Sequence, residues 1–546
     1  MSSDSSSPTP LNGTGTLSAR AAAFPLTRTQ LVALTLTAIV AVAVTFRTSG
    51  LATYGLSDDE VTKLRATEAY SRGDFTVNAE HPMLMKLTVW ASISVADRWN
   101  RLASVRYQIP IEAAVRMPNV VAGAASVLVA YGLAHAYFGT PTALVAALLL
   151  ALDPNVTAIN RHGKEDTFVV FFFLLAVWLY ERGKQVGARD TVAAQAWYLG
   201  SAAAFGVMMA SKYLPHLYGL YALTNVVTLR AAGPNSPSKR RFFLTMGVAF
   251  AMANFAVFLP ATWAHMLAYL QGNGLPHHGW PYAHRLWVTD VPISPLGIPP
   301  TFYVMFLLTR IPLVTLAGAI VGGCVAWTRR RERGYVFLRV FFVFQLVGYS
   351  IMAAKFLRYS LPILVIVDLM AAVGLVFAIN WLMERMKADA RAVFVAVAYG
   401  ALAVVLFAGE VHASPVFSMH RAALARMLDT DGQRFPEAAY DFGVREAVSR
   451  IVTDAAWGAA VVTDVPQVVR FYLDRSRRTD VRIETFSASG LASLAAEQWV
   501  LVQDAHVYFE TQEPIAMLRM RHKPVAEYRI NDVTVLQLFR IPRGHL

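Results

Sequence analysis

Cysteine and charged residues are the two kinds of residue that this sequence has little of. Its single cysteine, Cys324, lies inside an apolar run, so an intramolecular disulfide is excluded and a thiolate metal site is strongly disfavoured. Charged residues make up 16% of the chain and hydrophobic residues 55%, whereas soluble domains carry about 25% charged residues. We therefore expect lipid to be the solvent for most of the chain.

The sequence also lacks the marks of a nucleotide or nucleic-acid site. There is no glycine-rich fingerprint of a dinucleotide-binding fold, no fixed-period repeat, and no basic platform interleaved with aromatic residues. The net charge of +13 instead comes from short basic clusters between apolar runs. These clusters lie at 182–184, 239–241, 329–333 and 385–391. Basic clusters in alternate short loops are typical of the cytoplasmic side of a membrane protein.

Apolar runs recur from residue 31 to residue 410 and predict a polytopic, mainly α-helical membrane bundle. The first, 31–46, has no convincing cleavage site and is predicted to be a retained span. The others lie near 111–136, 141–153, 167–181, 196–210, 213–228, 242–260, 301–327, 335–353, 357–379 and 392–410. This gives about eleven spans. With a cytoplasmic N-terminus, the outer segments are 47–110, 154–166, 261–300 and everything after 410.

The two ends of the chain differ from the membrane part at 29–410. Residues 1–28 are predicted to be a disordered cytoplasmic segment, because they are rich in Ser, Thr, Pro and Gly. Residues 411–546 predict a small extracytoplasmic α/β domain. Its expected elements are an amphipathic helix at 442–452, buried strands at 459–462 and 499–502, and a hairpin around Asn531 and Asp532.

Three adjacent acids, Asp58, Asp59 and Glu60, follow the first span. A carboxylate at a membrane face can act as a base toward a hydroxyl or an amine. The alternative is a helix N-terminus, with Ser57 as the cap and the acids stabilised by the helix dipole. Spacing alone slightly favours the helix terminus, but both interpretations can hold because a cap does not use three carboxylates.

Cations lie on the predicted outer side, against the charge bias. Lys212, Lys355 and Arg358 fall between apolar runs, and the second outer loop returns a cation–acid cluster to the same face. That cluster contains Arg161, His162, Lys164, Glu165 and Asp166. Cations at span ends often only extend to the membrane interface. Binding of an anionic lipid phosphate would give them a function.

The third outer loop is rich in histidine and aromatic residues. These are His277, His278, Trp280, Tyr282, His284, Arg285 and Trp287. Aromatic rings stack on sugars and histidines bind phosphate or metal, but the same residues are typical of a membrane interface. No ligand spacing is recognisable, so no cofactor is assigned and a divalent metal stays an open alternative.

Motifs along residues 30–380 resemble, in order, those of protein O-mannosyltransferases (glycosyltransferase family 39). They are Asp59-Glu60, Gly73-Asp74-Phe75, His81-Pro82-x-Leu84-x-Lys86, Arg116-Met117-Pro118, Arg161 with Glu165-Asp166, Ala210-Ser211-Lys212 and Arg358-Tyr359-Ser360-Leu361-Pro362. Each motif is weak, but the ordered set is fairly specific. Met83 replaces a proline of the family motif, and the C-terminal part does not resemble the β-trefoil domains of eukaryotic members.

The resemblance implies the GT-C membrane fold, which bacterial aminoarabinose transferases share. It implies inverting transfer of mannose or a similar hexose from a polyprenyl- or dolichyl-phosphate carrier to an extracytoplasmic protein, lipid or glycan. By position, Asp59 would be the base with Glu60 beside it, and Glu165 or Asp166 the second acid. The residues predicted to bind substrate or phosphate are His81, Lys86, Arg161, Lys212, His278, Arg358 and Tyr359.

Two rival functions stay open from the sequence. A transporter or flippase of lipid-linked sugars would share the spans and the outward-facing cations, but it predicts paired half-repeats, which are not visible. A non-catalytic membrane sensor or assembly protein is the second rival. The short chain and the absence of trefoil domains favour a bacterial plasma membrane, by analogy only.

Overall fold

The computed structural model describes residues 27–187, 189–228, 236–270, 278–289, 294–486 and 497–542. The segment predicted to be disordered, 1–28, lies outside the described residues except for its last two positions. His277 and parts of the predicted outer loop 261–300 also lie outside them.

Helices form most of the described chain. They are α1 (Arg28–Thr48), α2 (Asp58–Tyr70), α3 (Leu84–Leu102), α4 (Ile111–Phe138), α5 (Thr140–Ala151), α6 (Pro154–Asn160), α7 (Glu165–Val186), α8 (Thr191–Ser211), α9 (His216–Val227), α10 (Lys239–Ala253), α11 (Pro260–Leu270), α12 (Phe302–Arg310), α13 (Leu313–Thr328), α14 (Arg333–Ser350), α15 (Leu361–Glu384), α16 (Ala388–Ala413), α17 (Ala425–Leu428), α18 (Val444–Asp454), α19 (Pro466–Arg475) and α20 (Gln512–Arg521). Short 3-10 helices lie at Val105–Tyr107, Phe255–Phe258, Leu357–Ser360, Phe417–Met419, Pro436–Ala439 and Asp504–His506.

The helices confirm a multi-pass membrane bundle but not the predicted number of spans. Among the described residues, 5 helical segments are long and apolar enough to cross a membrane, or up to 6 if α5 and α6, bent by 62°, form one span. Some predicted runs are broken. The run at 301–327 is divided into α12 and α13 at Pro312, whose ring removes a backbone donor. The run at 213–228 forms only the 12-residue α9.

Small residues allow two helices of the bundle to approach closely. A Cβ atom added at Gly322 of α13 would lie 1.9 Å from the Met370 carbonyl oxygen of α15. One added at Gly374 of α15 would lie 2.0 Å from the Gly318 carbonyl oxygen. Glycine is therefore required at both positions, as is common where helices pack in membranes.

The C-terminal part is an α/β domain, as predicted. Its strands are β3 (Ala460–Thr463), β4 (Arg482–Thr485), β5 (Gln498–Val502), β6 (Ala526–Ile530) and β7 (Val533–Ile541). A separate small hairpin, β1 (Trp280–Tyr282) and β2 (Arg285–Trp287), lies in the predicted outer loop 261–300. The sheet order is β4-β3-β5-β7-β6. β3 is parallel to β4 and β5, whereas β7 is antiparallel to β5 and β6. The predicted helix, strands and hairpin are confirmed, while the domain limits stay predictions.

This domain contacts the loop between α1 and α2. Arg445 donates hydrogen bonds to the carbonyl oxygens of Ala52 (2.9 Å) and Thr53 (2.7 Å). The Leu56 N–H donates to the Tyr472 hydroxyl at 2.7 Å, and that hydroxyl donates to Glu112 at 3.0 Å. The α/β domain therefore holds the segment that leads into the three acids.

Candidate active site

The three adjacent acids Asp58, Asp59 and Glu60 form the first turn of α2, and Glu60 has a structural role. The Ser57 N–H donates to the Glu60 carboxylate at 2.9 Å, which is a capping contact. Arg116 of α4 forms two hydrogen bonds with the same carboxylate, both 2.8 Å, and the Gly163 N–H adds a third at 2.9 Å. The Glu60 side chain is fully buried, so it ties the loop to α4 and to the turn before α7 rather than facing a substrate.

Asp59 has a different environment from its neighbour. Its side chain is 28% exposed, is ion-paired with Lys164, and lies 3.9 Å from the Arg358 guanidinium. Burial alone would raise the pKa of Asp59, but Lys164 and Arg358 hold it well below its usual range. Asp59 is therefore an ionised carboxylate that solvent and a ligand can reach.

Asp59 opens into a cavity of about 90 Å³ built from distant parts of the chain. Its walls come from the α1–α2 loop, from α6 and the turn after it, from the 3-10 helix before α15, and from the segment between α16 and α18. They are formed by Ser57, Asp59, Ala158, Ile159, His162, Lys164, Leu357, Arg358, Ser418, Glu437, Ala438 and Tyr440. The site thus joins the membrane bundle to the C-terminal part.

Four cations and four carboxylates form one ion-pair cluster at the cavity. Three lysines each have a carboxylate of their own: Lys63 with Glu165 at 2.8 Å, Lys212 with Asp166 at 2.9 Å, and Lys164 with Asp59. Arg358 lies 3.9 Å from Asp59, 3.9 Å from Asp166 and 3.8 Å from Glu437. These eight residues are called the ion-pair cluster below. The predicted acids Glu165 and Asp166 and the predicted cations Lys212 and Arg358 all belong to it.

Aromatic rings support two of the cations. The Lys212 ammonium lies 4.2 Å from the centre of the Tyr359 ring, and the Arg358 guanidinium lies 4.3 Å from the centre of the Phe356 ring. Such contacts stabilise a cation that is partly removed from water. Tyr359, predicted to bind substrate, therefore lies beneath a cation rather than in the cavity wall.

Besides Lys212 and Tyr359, four further predicted binding residues lie away from the cavity wall. Lys86 is buried, and burial lowers its pKa to about 7. Its ammonium group donates hydrogen bonds to the carbonyl oxygens of Asn78 and His81, the latter at 2.8 Å. Burial likewise lowers the pKa of His81 to about 4. Arg161 donates to the carbonyl oxygens of Phe46, Ser49 and Gly50 and holds the end of α1.

His278 lies at the surface, where its ring nitrogen is 2.5 Å from the Glu510 carboxylate. The binding roles assigned to His81, Lys86, Arg161 and His278 stay predictions, which the positions of these side chains do not support.

Five titratable residues of the site were given no role from the sequence, although two of them, His162 and Lys164, belong to the cluster noted in the second outer loop. They are Lys63, His162, Lys164, Glu437 and Tyr440. Lys63 had a usable signal, because it lies four residues after Asp59 on one helix and therefore on the same face. Glu437 and Tyr440 had none, since they belong to a short 3-10 helix and the turn after it, with no periodic pattern.

A metal site is not apparent in the described ranges. Within them, no group of three or more His, Cys, Asp or Glu side chains is placed to hold a metal ion.

Comparison with known proteins supports the resemblance over part of the chain. The family described as dolichyl-phosphate-mannose-protein mannosyltransferase matches residues 110–263. YkcB and YycA of Bacillus subtilis (strain 168), both provisionally named mannosyltransferases, are 29% identical to this chain over 116 and 158 residues. These matches cover 21% and 29% of this chain, but only 16% and 21% of the relatives.

Solved structures match along nearly the whole chain. The apo crystal structure of ArnT from Cupriavidus metallidurans has a TM-score of 0.53 at 14% identity, and the match covers 93% of this chain and 98% of ArnT. The chain has the GT-C fold. ArnT bound to undecaprenyl phosphate matches with a TM-score of 0.52 at 13% identity, covering 94% of this chain and 98% of ArnT.

A more distant GT-C structure matches with the same score. The Archaeoglobus fulgidus oligosaccharyltransferase tethered to an acceptor peptide has a TM-score of 0.52 at 10% identity, over 94% of this chain and 76% of that one. The predicted fold is thereby confirmed.

Proposed function

We propose that the protein is an inverting glycosyltransferase that moves mannose or a similar hexose from a polyprenyl- or dolichyl-phosphate carrier to a protein, lipid or glycan acceptor. The observation that carries the proposal is the position of Asp59. It is a partly exposed, ionised carboxylate in the wall of a cavity that also holds two cations, Lys164 and Arg358. A base and a phosphate-binding pair within one cavity are what such a transfer needs.

In this mechanism Asp59 is the base. The acceptor hydroxyl or amine loses its proton to the Asp59 carboxylate while its oxygen or nitrogen attacks the anomeric carbon. The bond from that carbon to the phosphate oxygen breaks on the opposite side, so the configuration inverts. Pairing with Lys164 makes Asp59 a weak base in the free protein. A phosphate that takes over Lys164 would make Asp59 more basic when the donor is bound.

Cations of the ion-pair cluster stabilise the departing phosphate. Negative charge builds on the carrier phosphate as the sugar leaves, and positioned cations in a partly desolvated site stabilise this charge strongly. We assign Arg358 and Lys164, which lie in the cavity wall, to this contact, with Lys212 behind them. The structural match to ArnT bound to undecaprenyl phosphate supports a carrier of this class.

We place the active site and the C-terminal domain on the extracytoplasmic side, in a bacterial plasma membrane. Helix α15 begins three residues after Arg358 in the cavity and ends next to Arg385, which opens the basic cluster at 385–391. A helix of 24 residues is about 36 Å long, enough to separate the two ends by a bilayer core. Of the other basic clusters, 182–184 lies near the end of α7, 239–241 begins α10, and 329–333 leads into α14. The positive-inside rule then assigns the ends opposite the site to the cytoplasm.

The proposal is tested by comparing glycans in cells that differ in this protein alone. Mass spectrometry of envelope proteins and lipids would compare a deletion strain with strains complemented by wild type, Asp59→Asn and Asp58→Asn at equal expression. We expect one sugar mass to vanish in the deletion and to return with wild type and Asp58→Asn, but not with Asp59→Asn. Asp58 is the matched control because it is the adjacent aspartate in the sequence and does not line the cavity. Full return of the mass with Asp59→Asn would refute Asp59 as the base.

A further inference from the structure

The charges of the ion-pair cluster leave one carboxylate without a lysine. Lys63, Lys164 and Lys212 are each paired with one acid, and Arg358 remains with Glu437. Four cations and four ionised carboxylates sum to zero. A sugar–phosphate–lipid diester brings one further negative charge into this neutral cluster. The total charge of the cluster and the bound donor returns to zero if one carboxylate of the cluster takes up a proton when the donor binds.

The geometry around Arg358 selects Glu437 as that carboxylate. Asp59 and Asp166 also lie near this guanidinium, but both have a lysine partner. Among the described residues, no lysine is ion-paired with Glu437. Its other carboxylate oxygen accepts a hydrogen bond from the Leu357 N–H at 2.9 Å. A protonated Glu437 could keep this bond through that oxygen while it releases Arg358.

The surroundings of Glu437 bring its protonation into the physiological pH range. Its side chain is only 9% exposed. Burial raises the pKa of Glu437 to about 7, against the opposing effect of Arg358. The charged and titratable groups that face it are Arg358 from the 3-10 helix before α15, Lys164 from the turn before α7, Asp59 from α2, Tyr303 from α12, and His162 and Tyr440 in the cavity wall. Burial also lowers the pKa of His162 to about 4, so this histidine adds no charge at neutral pH.

We propose that Glu437 is a proton-controlled counter-ion of Arg358, which must become neutral before the carrier phosphate can pair with that guanidinium. The inference rests on the proposed function and adds a positioning residue from the C-terminal part of the chain. On donor binding, an ionised Glu437 takes one proton from water and Arg358 exchanges the carboxylate for the phosphate. After transfer and release of the carrier, Glu437 returns this proton to water and pairs with Arg358 again.

This role of Glu437 predicts that the affinity for the donor falls as the pH rises. Below about pH 7 Glu437 is already protonated, and binding does not depend on pH. Above it, the fraction of protein competent to bind falls about tenfold per pH unit, and the apparent affinity falls with it. A glutamate that only anchors the Leu357 N–H would not produce this slope.

The experiment uses the full chain in lipid nanodiscs and a probe of constant charge. The methyl ester of undecaprenyl phosphate is a phosphodiester, so it carries one negative charge throughout the range from pH 6 to pH 9. Its dissociation constant would be measured for wild type, Glu437→Gln and Glu513→Gln. Glutamine keeps an acceptor for the Leu357 N–H but carries no charge. Glu513 is an exposed glutamate on α20 and controls for a change in net charge.

We expect the affinity of wild type and Glu513→Gln to fall about tenfold more between pH 8 and pH 9 than that of Glu437→Gln. The slope that remains in Glu437→Gln reports Lys164, because burial lowers the pKa of that lysine to about 8. At pH 8, Glu437→Gln should bind about tenfold more tightly than wild type. In weakly buffered solution at pH 7.5, wild type should also take up more protons per bound lipid than Glu437→Gln does, and the difference should be most of one proton.

Two other results would be decisive. Equal pH profiles for Glu437→Gln and wild type, or binding by wild type without proton uptake, would overturn the role of Glu437 while leaving the carrier-phosphate site intact. Failure of wild type to bind the probe at any pH would overturn the proposed function itself, and the role of Glu437 with it.

Discussion

At the scale of single residues, three neighbouring acids show how position on a helix separates their roles. Glu60 is fully buried with Arg116, whereas Asp59 remains 28% exposed in the cavity wall. The Asp58 N–H donates to the Asp441 carboxylate at 2.7 Å. A capping carboxylate and a carboxylate in the cavity wall therefore coexist in one helical turn. The two interpretations that the sequence left open are compatible in the structure.

Removal of Arg116, the buried partner of Glu60, should make the protein less stable. Arg116→Met leaves a carboxylate buried without its countercharge, which lowers the free energy of unfolding by about 3–5 kcal/mol. Arg116 also donates to the carbonyl oxygens of Leu51 and Gly55, both at 2.6 Å, so the α1–α2 loop loses these bonds as well. Thermal unfolding in detergent measures the change.

The control for this loss is an ion pair of the same kind at the surface. Arg470 and Asp474 are 35% and 54% exposed and lie one turn apart on α19. Because water screens such pairs, Arg470→Met should change the unfolding free energy by less than about 1 kcal/mol. Similar losses for the two variants would mean that the Glu60–Arg116 pair is not part of the structural core.

At the scale of helices, close packing of α13 on α15 depends on glycine. Gly322→Ala places a methyl group 1.9 Å from the Met370 carbonyl oxygen unless the backbone shifts, so the two helices must move apart. We expect a loss of about 1–3 kcal/mol in unfolding free energy, typical of overpacking. Gly400→Ala on α16 is the matched control, because a Cβ there meets nothing within 4 Å. Equal thermal stability of the two variants would contradict this packing.

The elements were predictable where one pattern dominates over many residues. The hairpin around Asn531 and Asp532 was predicted from the alternation of the flanking residues. In the structure both turn residues adopt positive φ, as tight hairpin turns require. The number of spans was not predictable in this way, because hydropathy over 301–327 does not reveal the break at Pro312 between α12 and α13. The bend of 62° between α5 and α6 is likewise a feature of packing, with Pro154 at its start.

At the scale of the whole molecule, the α/β domain and the membrane bundle share the site. Tyr472 joins them, since its hydroxyl accepts from the Leu56 N–H and donates to Glu112. Leu56 lies three residues before Asp59. The position of the acid cluster therefore depends on the docked domain as well as on the helices.

Tyr472→Phe should loosen this contact without unfolding the bundle. Loss of the hydroxyl leaves the buried Leu56 N–H without this partner, at about 1–3 kcal/mol, whereas Glu112 keeps its ion pair with Arg445 at 3.6 Å. Hydrogen exchange of the segment 51–58 should accelerate at least tenfold relative to wild type, with α15 unchanged. Tyr107→Phe is the control, because it removes the same hydroxyl from a side chain that is 63% exposed. Unchanged exchange at 51–58 would show that the loop does not need the domain.

Only part of the site could be predicted from sequence, and the reason is distance along the chain. Asp59, Asp166, Lys212 and Arg358 lie beside predicted spans, so their charge stood out against an apolar background. Glu437 meets Arg358 only through folding of the segment after α16. Lys86 and Arg161 matched motifs but serve backbone carbonyls, which no motif distinguishes from phosphate binding.

The most direct test of the account is sugar transfer by the purified protein. Wild type in nanodiscs would receive polyprenyl-phosphate hexoses with a labelled sugar, together with an envelope extract from the deletion strain. Label in the acceptor fraction and release of polyprenyl monophosphate would both be followed. We predict equal transfer by wild type and Asp58→Asn, an inverted anomeric linkage, and a rate at least about 100-fold lower for Asp59→Asn. Transfer by Asp59→Asn at the wild-type rate, or no carrier release by wild type, would contradict the account.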